Sequence, residues 1–425
     1  MTKTKIKSIA LIFSTVFVSL LTAQNSGSNN SAAGDFIKRN TITTAVPFLR
    51  INPDARAGAM GYASVATKPD ANGIFANAAK MAFIEHTDKD GNVSENGNNF
   101  GVSLTFIPWL RGIANDVYMA DIAGYYNLRN KKNPDIQQSI STSLRFFSLG
   151  NIVYTDLGGQ EVGQGNPQEL AFDINYARKF SKNFGMGLGL RYIYSNLGTG
   201  SLPGSDIKAG NAVAADLSLF YTTPIVIKKG LEGMDFNFGT AITNIGSKMT
   251  YTQDGNAANQ DFIPANLGLG FGLEMDIDKF NEINVYFDVN KLLVPTPDTI
   301  DVDGVAGPDY KTKSQIAGLF TSFGDAPGGF SEEMAEFTIG GGVEYVYNNL
   351  FMARLGYFYE APSKGSRRFL TAGAGIKYSV FTLNAAYIIP TSKPPGPLDN
   401  TMYFSLLFDF NSGGKKAAAT PKDIN

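Results

Sequence analysis

The stretch FGMGLGLRYIYS, residues 184–195, alternates between two kinds of side chain with a period of two. In an extended strand, one face would carry large apolar and aromatic side chains, and the other would carry glycine, Arg191 and Ser195. Strands of about this length cross a bilayer at a tilt, whereas strands of globular sheets usually have about 5–6 residues. The stretch therefore predicts a membrane-spanning strand with an apolar outer face.

The same alternation recurs along most of the chain. We identify fourteen such segments, at residues 98–109, 116–129, 137–155, 168–180, 184–197, 212–225, 234–251, 263–278, 281–294, 335–347, 350–362, 368–378, 380–390 and 401–410. A soluble β-sandwich also alternates, but the length of the segments favours a barrel, and an even strand number is typical of bacterial outer-membrane barrels. We predict an all-β fold: a transmembrane antiparallel β-barrel of 14 strands over residues 98–410.

The connections between these segments differ in length according to their parity. Most odd-numbered connections are long, and the largest runs from about Lys291 to Met334. Most even-numbered ones are short, such as FSKN at residues 180–183. Outer-membrane barrels have long extracellular loops and short periplasmic turns. The pattern predicts that the odd connections lie outside the cell.

The amino terminus has the layout of an export signal. Lys3, Lys5 and Lys7 precede an apolar run from Ile9 to Leu21, and Ala23 is a suitable cleavage position. We predict a cleaved signal peptide over residues 1–23. At the other end, we predict a flexible tail over residues 411–425.

Residues 24–97 are predicted to form a periplasmic N-terminal segment and a plug inside the lumen. The part from Ala57 to Ala82 is rich in alanine and glycine, and small residues let a backbone pack closely inside a barrel. DANGIFANAAKMAFI, residues 70–84, predicts one short helix capped by Asp70. Asn77 and Lys80 belong to the same predicted plug.

Charged residues also occur in phase with the inward-facing positions of the strands. We predict that they form a hydrogen-bonded network in the lumen, although a conducting pathway is the other interpretation. Their mixed signs do not favour an ion-selective pore. The predicted lumen residues are Asp121, Arg145, Arg191, Asp216, Glu274, Asp288, Glu344, Arg354 and Lys377.

Composition does not favour an enzyme or a nucleic-acid-binding protein. Removing the three signal lysines from 36 basic residues leaves 33 against 38 acidic ones, so the mature chain has a charge of about -5. There is no cysteine, and the single histidine, His86, has no neighbouring nucleophile motif. Two acidic stretches, at residues 88–92 and 301–309, are incomplete as calcium loops. We predict no enzyme activity, no catalytic residue, no cofactor, no resident metal and no nucleic-acid partner.

The pre-barrel sequence resembles a known group of proteins. DANGIFANAAKMA, residues 70–82, followed by fourteen predicted strands, is similar to the FadL-type outer-membrane barrels. FLRINPDARAGAMGYASVATKPDANGIFANAAKMAFIE, residues 48–85, resembles more narrowly the PorV (LptO) family of the type IX secretion system. One departure is Asn77-Ala78-Ala79, where FadL-type transporters usually have Asn-Pro-Ala in a ligand-gating hatch.

This resemblance implies a function in protein secretion. Members of the PorV family associate with a giant translocon barrel of the SprA (Sov) type and collect secreted cargo that carries a C-terminal β domain, the sorting domain. They then deliver the cargo to an attachment complex that contains a PorU-type sortase. The resemblance places the chain in the outer membrane of a Gram-negative bacterium, surrounded by outer-membrane lipid.

The largest predicted loop contains a candidate partner-binding helix. In SQIAGLFTSFGD, residues 314–325, the spacing of Ile316, Leu319, Phe320 and Phe323 fits one helical face. An exposed apolar face of this kind often marks a partner site. The other interpretation is a lid that folds back over the barrel mouth.

Two other functions remain open at this point. The first is a FadL-like channel for hydrophobic small molecules, with a side opening where NIVYT follows Gly150 in the long third segment. The second is a passive structural barrel with neither partner nor ligand. Bound fatty acids or aromatics would favour the channel, whereas association with a very large barrel would favour secretion.

Overall fold

The structure is a computed structural model. It describes residues 40–84, 98–110, 114, 116–129, 137–155, 158–198, 208–226, 230–252, 259–297, 310–391 and 401–412. The predicted signal peptide, His86 and the two acidic stretches lie outside the described residues, as does the predicted tail beyond Ser412.

Fourteen strands form a closed antiparallel barrel, as predicted. Each strand pairs with its sequence neighbours in the barrel, and the first strand pairs with the last to close the wall. The barrel strands are Asn98–Pro108, Val117–Arg129, Gln137–Leu149, Gln168–Lys179, Phe184–Asn196, Gly210–Pro224, Gly233–Gly246, Asn266–Asp276, Asn281–Leu292, Phe337–Tyr347, Phe351–Tyr359, Arg368–Tyr378, Phe381–Pro390 and Met402–Ser412.

Two predicted segments are longer than the strands that the structure contains. The third barrel strand ends at Leu149, and Ile152–Thr155 pairs instead with Glu161–Gly165 in a separate hairpin. Likewise, the seventh strand ends at Gly246, and Met249–Thr250 forms a small hairpin with Gln260–Asp261. The alternation continues in the sequence, but the chain leaves the wall.

The two faces of the wall match the alternation. Leu188 and Leu190 are 59% and 71% exposed on the outside, whereas Arg191 is buried in the lumen. Outward-facing apolar side chains fit the hydrocarbon core of a membrane. Because the barrel is closed, the backbone groups of every strand find hydrogen-bond partners on neighbouring strands within the wall. Among the described residues, no helix is both long and apolar enough to span a membrane.

Residues 40–84 form a plug inside the barrel. Its helical parts are the short helix Ala55–Ala59 and the 3-10 helices Pro47–Arg50, Gly73–Phe75 and Ala78–Phe83. The single helix predicted over residues 70–84 is therefore wrong: that stretch forms two 3-10 helices. Their N-terminal cap residues are Asn72 and Asn77, not Asp70.

The plug crosses the lumen from one end to the other. We call the end with the odd-numbered connections the long-loop end and the opposite end the short-turn end. At the long-loop end, the backbone N–H of Asn40 donates to the carbonyl oxygen of Ser363, at 2.9 Å. At the short-turn end, the carbonyl oxygen of Ile84 accepts from the side chains of Asn127 and Gln137, at 3.4 and 3.2 Å.

In its described part, the largest connection, between Leu292 and Phe337, contains the 3-10 helix Tyr310–Thr312 and two α-helices. The α-helices are Gln315–Thr321 and Phe330–Ala335. The first is capped by Ser314, whose hydroxyl accepts from the backbone N–H of Ala317 at 3.2 Å. We call this connection the long loop.

Candidate functional site

Inward-facing glycines make room for the plug backbone. An added Cβ at any of these glycines would come within 3 Å of a plug backbone atom, which is closer than real Cβ atoms approach. At Gly187 it would lie 2.6 Å from the nitrogen of Ala79, and at Gly272 it would lie 2.9 Å from the carbonyl oxygen of Ala66. We call this set the glycine belt: Gly187, Gly239, Gly270, Gly272, Gly340, Gly342 and Gly356.

Hydrogen bonds fix the plug to the wall beside the glycine belt. One carboxylate oxygen of Asp288 accepts from the backbone N–H groups of Ser64 and Val65, at 2.6 and 2.8 Å. The amide of Asn77 donates to the carbonyl oxygens of Val65, at 3.0 Å, and of Leu219 in the wall, at 2.9 Å. Close backbone packing and these bonds together hold the plug in one position.

The other two plug residues predicted from the sequence make contacts within the plug. Lys80 is buried, and its ammonium donates to the carbonyl oxygen of Ser64 and to the hydroxyl of Thr67, at 2.6 and 2.9 Å. A carboxylate oxygen of Asp70 lies 3.3 Å from the guanidinium of Arg56. The contacts of all three residues therefore stabilise the plug.

The predicted lumen charges form several small groups. Glu344 binds two guanidinium groups, that of Arg56 in the plug at 2.8 Å and that of Arg354 in the wall at 2.6 Å. Arg191 lies between Asp173 and Asp216 within the wall. Because Glu344 binds across the boundary, it connects the plug to the barrel.

Three more of the predicted lumen residues have partners, and Lys377 lines the cavity at the short-turn end. Asp121 and Arg145 form an ion pair of 3.3 Å. Glu274 accepts from the hydroxyl of Tyr286 at 2.9 Å and from the amide of Asn237 at 2.8 Å. These contacts join side chains of neighbouring strands inside the lumen.

Two members of these groups were missed in the sequence analysis. Asp173 occurs in phase with Ala171 and Asn175 in strand Gln168–Lys179, so its alternation could have placed it in the lumen. Arg56 gave no such signal, because its role depends on the path of the plug.

Ion pairs at the long-loop end join the plug to the loop at residues 360–367. Arg367 binds both carboxylate oxygens of Glu360, each at 2.8 Å, and Arg50 of the plug lies 3.4 Å from the same carboxylate. Burial of Glu360 acts to raise its pKa, but the hydrogen bonds and charges of the two arginines outweigh burial and lower it below the ordinary value. This group forms a clamp between the plug and the loop at residues 360–367.

A second set of ion pairs holds the long loop. Lys291, at the end of a wall strand, lies 2.8 Å from Glu333 and 2.6 Å from Glu336. Lys364 lies 2.6 Å from Glu332 and 3.0 Å from Glu336. We call these five residues the latch. They fix helix Phe330–Ala335 to the barrel rim, and the amide of Asn40 donates to Glu332 at 2.9 Å.

Helix Gln315–Thr321 lies on the rim with its apolar side chains turned outward. Its Gly318 is buried, and an added Cβ there would lie 2.9 Å from the ring of Phe262 and 3.1 Å from Pro295. This close approach leaves Ile316 and Phe320 67% and 76% exposed. Leu319, which was predicted on the same face, is partly buried.

The second α-helix of the long loop extends this exposed apolar surface. Phe330 is 80% exposed, and Met334 and Phe323 are each 49% exposed. We call the set Ile316, Phe320, Phe323, Phe330 and Met334 the loop patch. A lid would bury its apolar face against the mouth, whereas these five side chains are 49–80% exposed.

Cavities lie beside the plug, and polar or charged groups line much of the two described next. The cavity under the long loop has a volume of about 150 Å³ and is bordered by Asn52, Asn244 and Asp288, among others. The cavity at the short-turn end has about 510 Å³ and is bordered by Lys68 and Glu282. Within the described residues, no group of three or more histidine or acidic side chains could hold a metal ion.

The fold and the filled lumen define an outer-membrane β-barrel that is closed by an internal plug. Residues 35–299 match the family model described as type IX secretion system protein PorV, and the chain belongs to this family. The predicted resemblance is thereby confirmed. No curated protein matches the chain.

Several solved barrels are similar in structure. The Pseudomonas putida toluene transporter TodX has 12% sequence identity and a TM-score of 0.44, over 85% of this chain and 99% of its own. A TodX mutant described as a monoaromatic hydrocarbon channel has 13% sequence identity and a TM-score of 0.47, over 84% of this chain and 98% of its own. A Pseudomonas aeruginosa FadL homologue has 10% sequence identity and a TM-score of 0.37, over 88% of this chain and 99% of its own.

Proposed function

We propose that this protein is the shuttle component of the type IX secretion system. It binds the translocon barrel of the SprA (Sov) type, receives cargo through the cargo's C-terminal sorting domain, and passes it to the PorU-type attachment complex. It performs no bond chemistry itself. The observation that carries this proposal is the loop patch, an exposed apolar surface on a PorV-family barrel whose lumen is filled.

The filled lumen supports a function on the outside of the barrel. Glycines of five wall strands contact the plug backbone so closely that no Cβ would fit between them. Glu344 binds the Arg56 side chain of the plug, and Asp288 binds the plug backbone at Ser64. Moving the plug would expose buried charges and break these bonds, which is costly. A protein that keeps its lumen closed interacts with its partners through loops and wall.

The loop patch supports a protein partner on the long-loop end. Monomeric proteins rarely leave several large apolar side chains together in water, and such patches commonly mark interaction sites. The latch holds the patch in one orientation, so little conformational entropy is lost when a partner binds. We assign Ile316, Phe320 and Phe323 to partner contact, with Leu319 supporting the helix from beneath.

The topology in the membrane follows from loop length. Outer-membrane barrels place long loops outside the cell and short turns in the periplasm. The loop patch then faces the cell surface, where cargo emerges. A cleaved signal peptide over residues 1–23 would deliver the chain to the outer membrane of a Gram-negative bacterium.

The alternative, a channel for hydrophobic small molecules, has less support. A channel of that kind needs an apolar route through the lumen, whereas charged and amide side chains line about half of each of the two cavities described beside the plug. A side opening at Gly150 also finds no support in the wall just before it, because strand Gln137–Leu149 pairs along its described length with both neighbours.

The test is an affinity pull-down from outer membranes in mild detergent, followed by mass spectrometry. We expect the wild-type chain to recover a very large barrel and exported proteins that share one C-terminal domain. The double variant Phe320→Ser, Phe323→Ser should lose at least one of these partners. Phe280→Ser is the matched control, because Phe280 is 56% exposed at the opposite end of the barrel.

The outcomes separate the candidates. Equal recovery of partners by wild type and double variant would remove the loop patch from the proposal. Recovery of a lone barrel with bound lipid or aromatic molecules would favour the channel instead.

A further inference from the structure

A two-stranded hairpin rises above the wall at the long-loop end. Its strands, Ile152–Thr155 and Glu161–Gly165, are antiparallel. They follow and precede the paired wall strands Gln137–Leu149 and Gln168–Lys179. The hairpin therefore continues one ribbon of the barrel beyond the rim.

Among the residues that the structure describes, no strand lies along the outer edge of Ile152–Thr155. The wall strand on that side begins at Val117, which pairs with Leu149, so it ends before the hairpin begins. Within the described residues, the pairing of Ile152–Thr155 is with the other strand of the hairpin alone. Alternate N–H and C=O groups of an edge strand point away from its partner and remain available for pairing.

The base of the hairpin is held in a fixed orientation. Gly150 has a φ of +80°, in the left-handed region, and an added Cβ there would lie 2.8 Å from the carboxylate of Asp116. The same carboxylate accepts from the backbone N–H of Asn151 at 2.7 Å. On the other side, the N–H of Leu149 donates to the carbonyl oxygen of Pro167 at 3.1 Å. The edge is thus presented in one position before anything binds.

Apolar side chains lie on both faces of this edge strand. Ile152 and Val153 are 41% and 52% exposed, and consecutive residues of a strand point to opposite faces. The opposite strand carries the polar residues Glu161 and Gln164. Lysine, proline and inward charges protect many natural edge strands, and Ile152–Thr155 has none of these; its protection is limited to its length of four residues and the bulge between Tyr154 and Thr155.

We infer that the edge of Ile152–Thr155 receives an extended strand from the sorting domain of the cargo, by addition of a strand to the hairpin. A row of unpaired backbone donors and acceptors is satisfied best by another strand. The β-branched Ile152 and Val153 would pack against the side chains of the added strand. The inference rests on the proposed function, which supplies a β-rich partner on the long-loop end. A register shift between Tyr154 and Thr155 confines regular pairing to the first three residues of the strand.

The experiment uses the full chain in mild detergent and, as the probe, a purified sorting domain of an exported protein. Its affinity is measured for wild type and for two variants that each add one lysine to the hairpin. Val153→Lys places the charge on the proposed edge strand, and Gln164→Lys, the matched control, places it on the cross-strand partner. We expect Val153→Lys to weaken binding by about tenfold and Gln164→Lys to change it by less than about threefold.

Amide hydrogen exchange supplies the second readout. The sorting domain should slow the exchange of outward amides in residues 152–155. Unchanged affinity of Val153→Lys together with unchanged exchange would overturn the inference while leaving the proposed function intact. If the sorting domain does not bind wild type at all, cargo binding and this inference both fail.

Discussion

Gly342 of the wall lies directly against Met60 of the plug. A methyl group added at Gly342 would stand 2.5 Å from the Cβ of Met60 and 2.8 Å from its carbonyl oxygen. The adjacent Gly341 points to the opposite face, where an added methyl group would meet the ring of Phe287 at an ordinary 3.7 Å. Two neighbouring glycines thus differ in whether the structure admits a side chain.

The first prediction uses this difference. Gly342→Ala should lower the free energy of unfolding by ~1–3 kcal/mol, because the plug backbone must shift to make room. Gly341→Ala should change it little, which makes it the matched control. The measurement is the urea midpoint of the folded barrel, followed by fluorescence of Trp109, the single tryptophan. Equal midpoints for the two variants would mean that the plug does not depend on the glycine belt.

The second prediction concerns Glu344, which binds Arg56 and Arg354 in the buried lumen. Glu344→Gln should destabilise the protein by ~3–5 kcal/mol, because the buried Arg354 loses its acidic partner and Arg56 keeps only Asp70, at 3.3 Å. Lys68→Met is the comparison, since the Lys68 side chain is 51% exposed and its 3.0 Å pair with Glu282 should contribute ~1 kcal/mol or less. Urea midpoints test both, and similar losses would contradict the role given to Glu344.

The wall could be predicted from the sequence because its signals are local. Alternation with a period of two places each side chain on one face, and the loop parity orders the strands. Phase alone also placed Arg191 and Asp288 in the lumen. It could not tell which lumen residue binds which, because Glu344 finds Arg56 nearly three hundred residues earlier in the chain.

Tertiary packing explains where the prediction differed. An alanine-rich run over residues 70–84 favours one helix, but Asn77 turns its side chain to Val65 and Leu219 and divides the run in two. The alternation after Gly150 reads as one long strand, whereas a left-handed φ turns the chain out of the wall. Neither the hydrogen bonds of Asn77 nor the φ angle of Gly150 can be read from a local sequence pattern.

The third prediction is a pH dependence at the clamp. Arg367 and Arg50 lower the pKa of Glu360, so the clamp's stabilisation is fully present above the ordinary glutamate value, about 4.3, and is lost as the pH falls through the lowered pKa. We expect Glu360→Gln to be less stable than wild type at neutral pH, and to lose less stability than wild type as the pH is lowered. Glu161→Gln, at an exposed hairpin position, is the control. The measurement is the urea midpoint from neutral pH into acid, and parallel curves for wild type and Glu360→Gln would contradict the clamp.

The last prediction concerns the latch. Lys291 is almost completely buried between Glu333 and Glu336, so Lys291→Met leaves these carboxylates with less compensation and favours release of the long loop. Chymotrypsin should then cleave near Phe320 and Phe330 roughly ten times faster, because cleavage follows the population of the opened loop. Lys313→Met is the matched control, since its pair with Asp325 measures 3.4 Å and the lysine side chain is 38% exposed. If both variants are cleaved at the wild-type rate, the long loop is held by the packing of Gly318 on the rim and the latch contributes little.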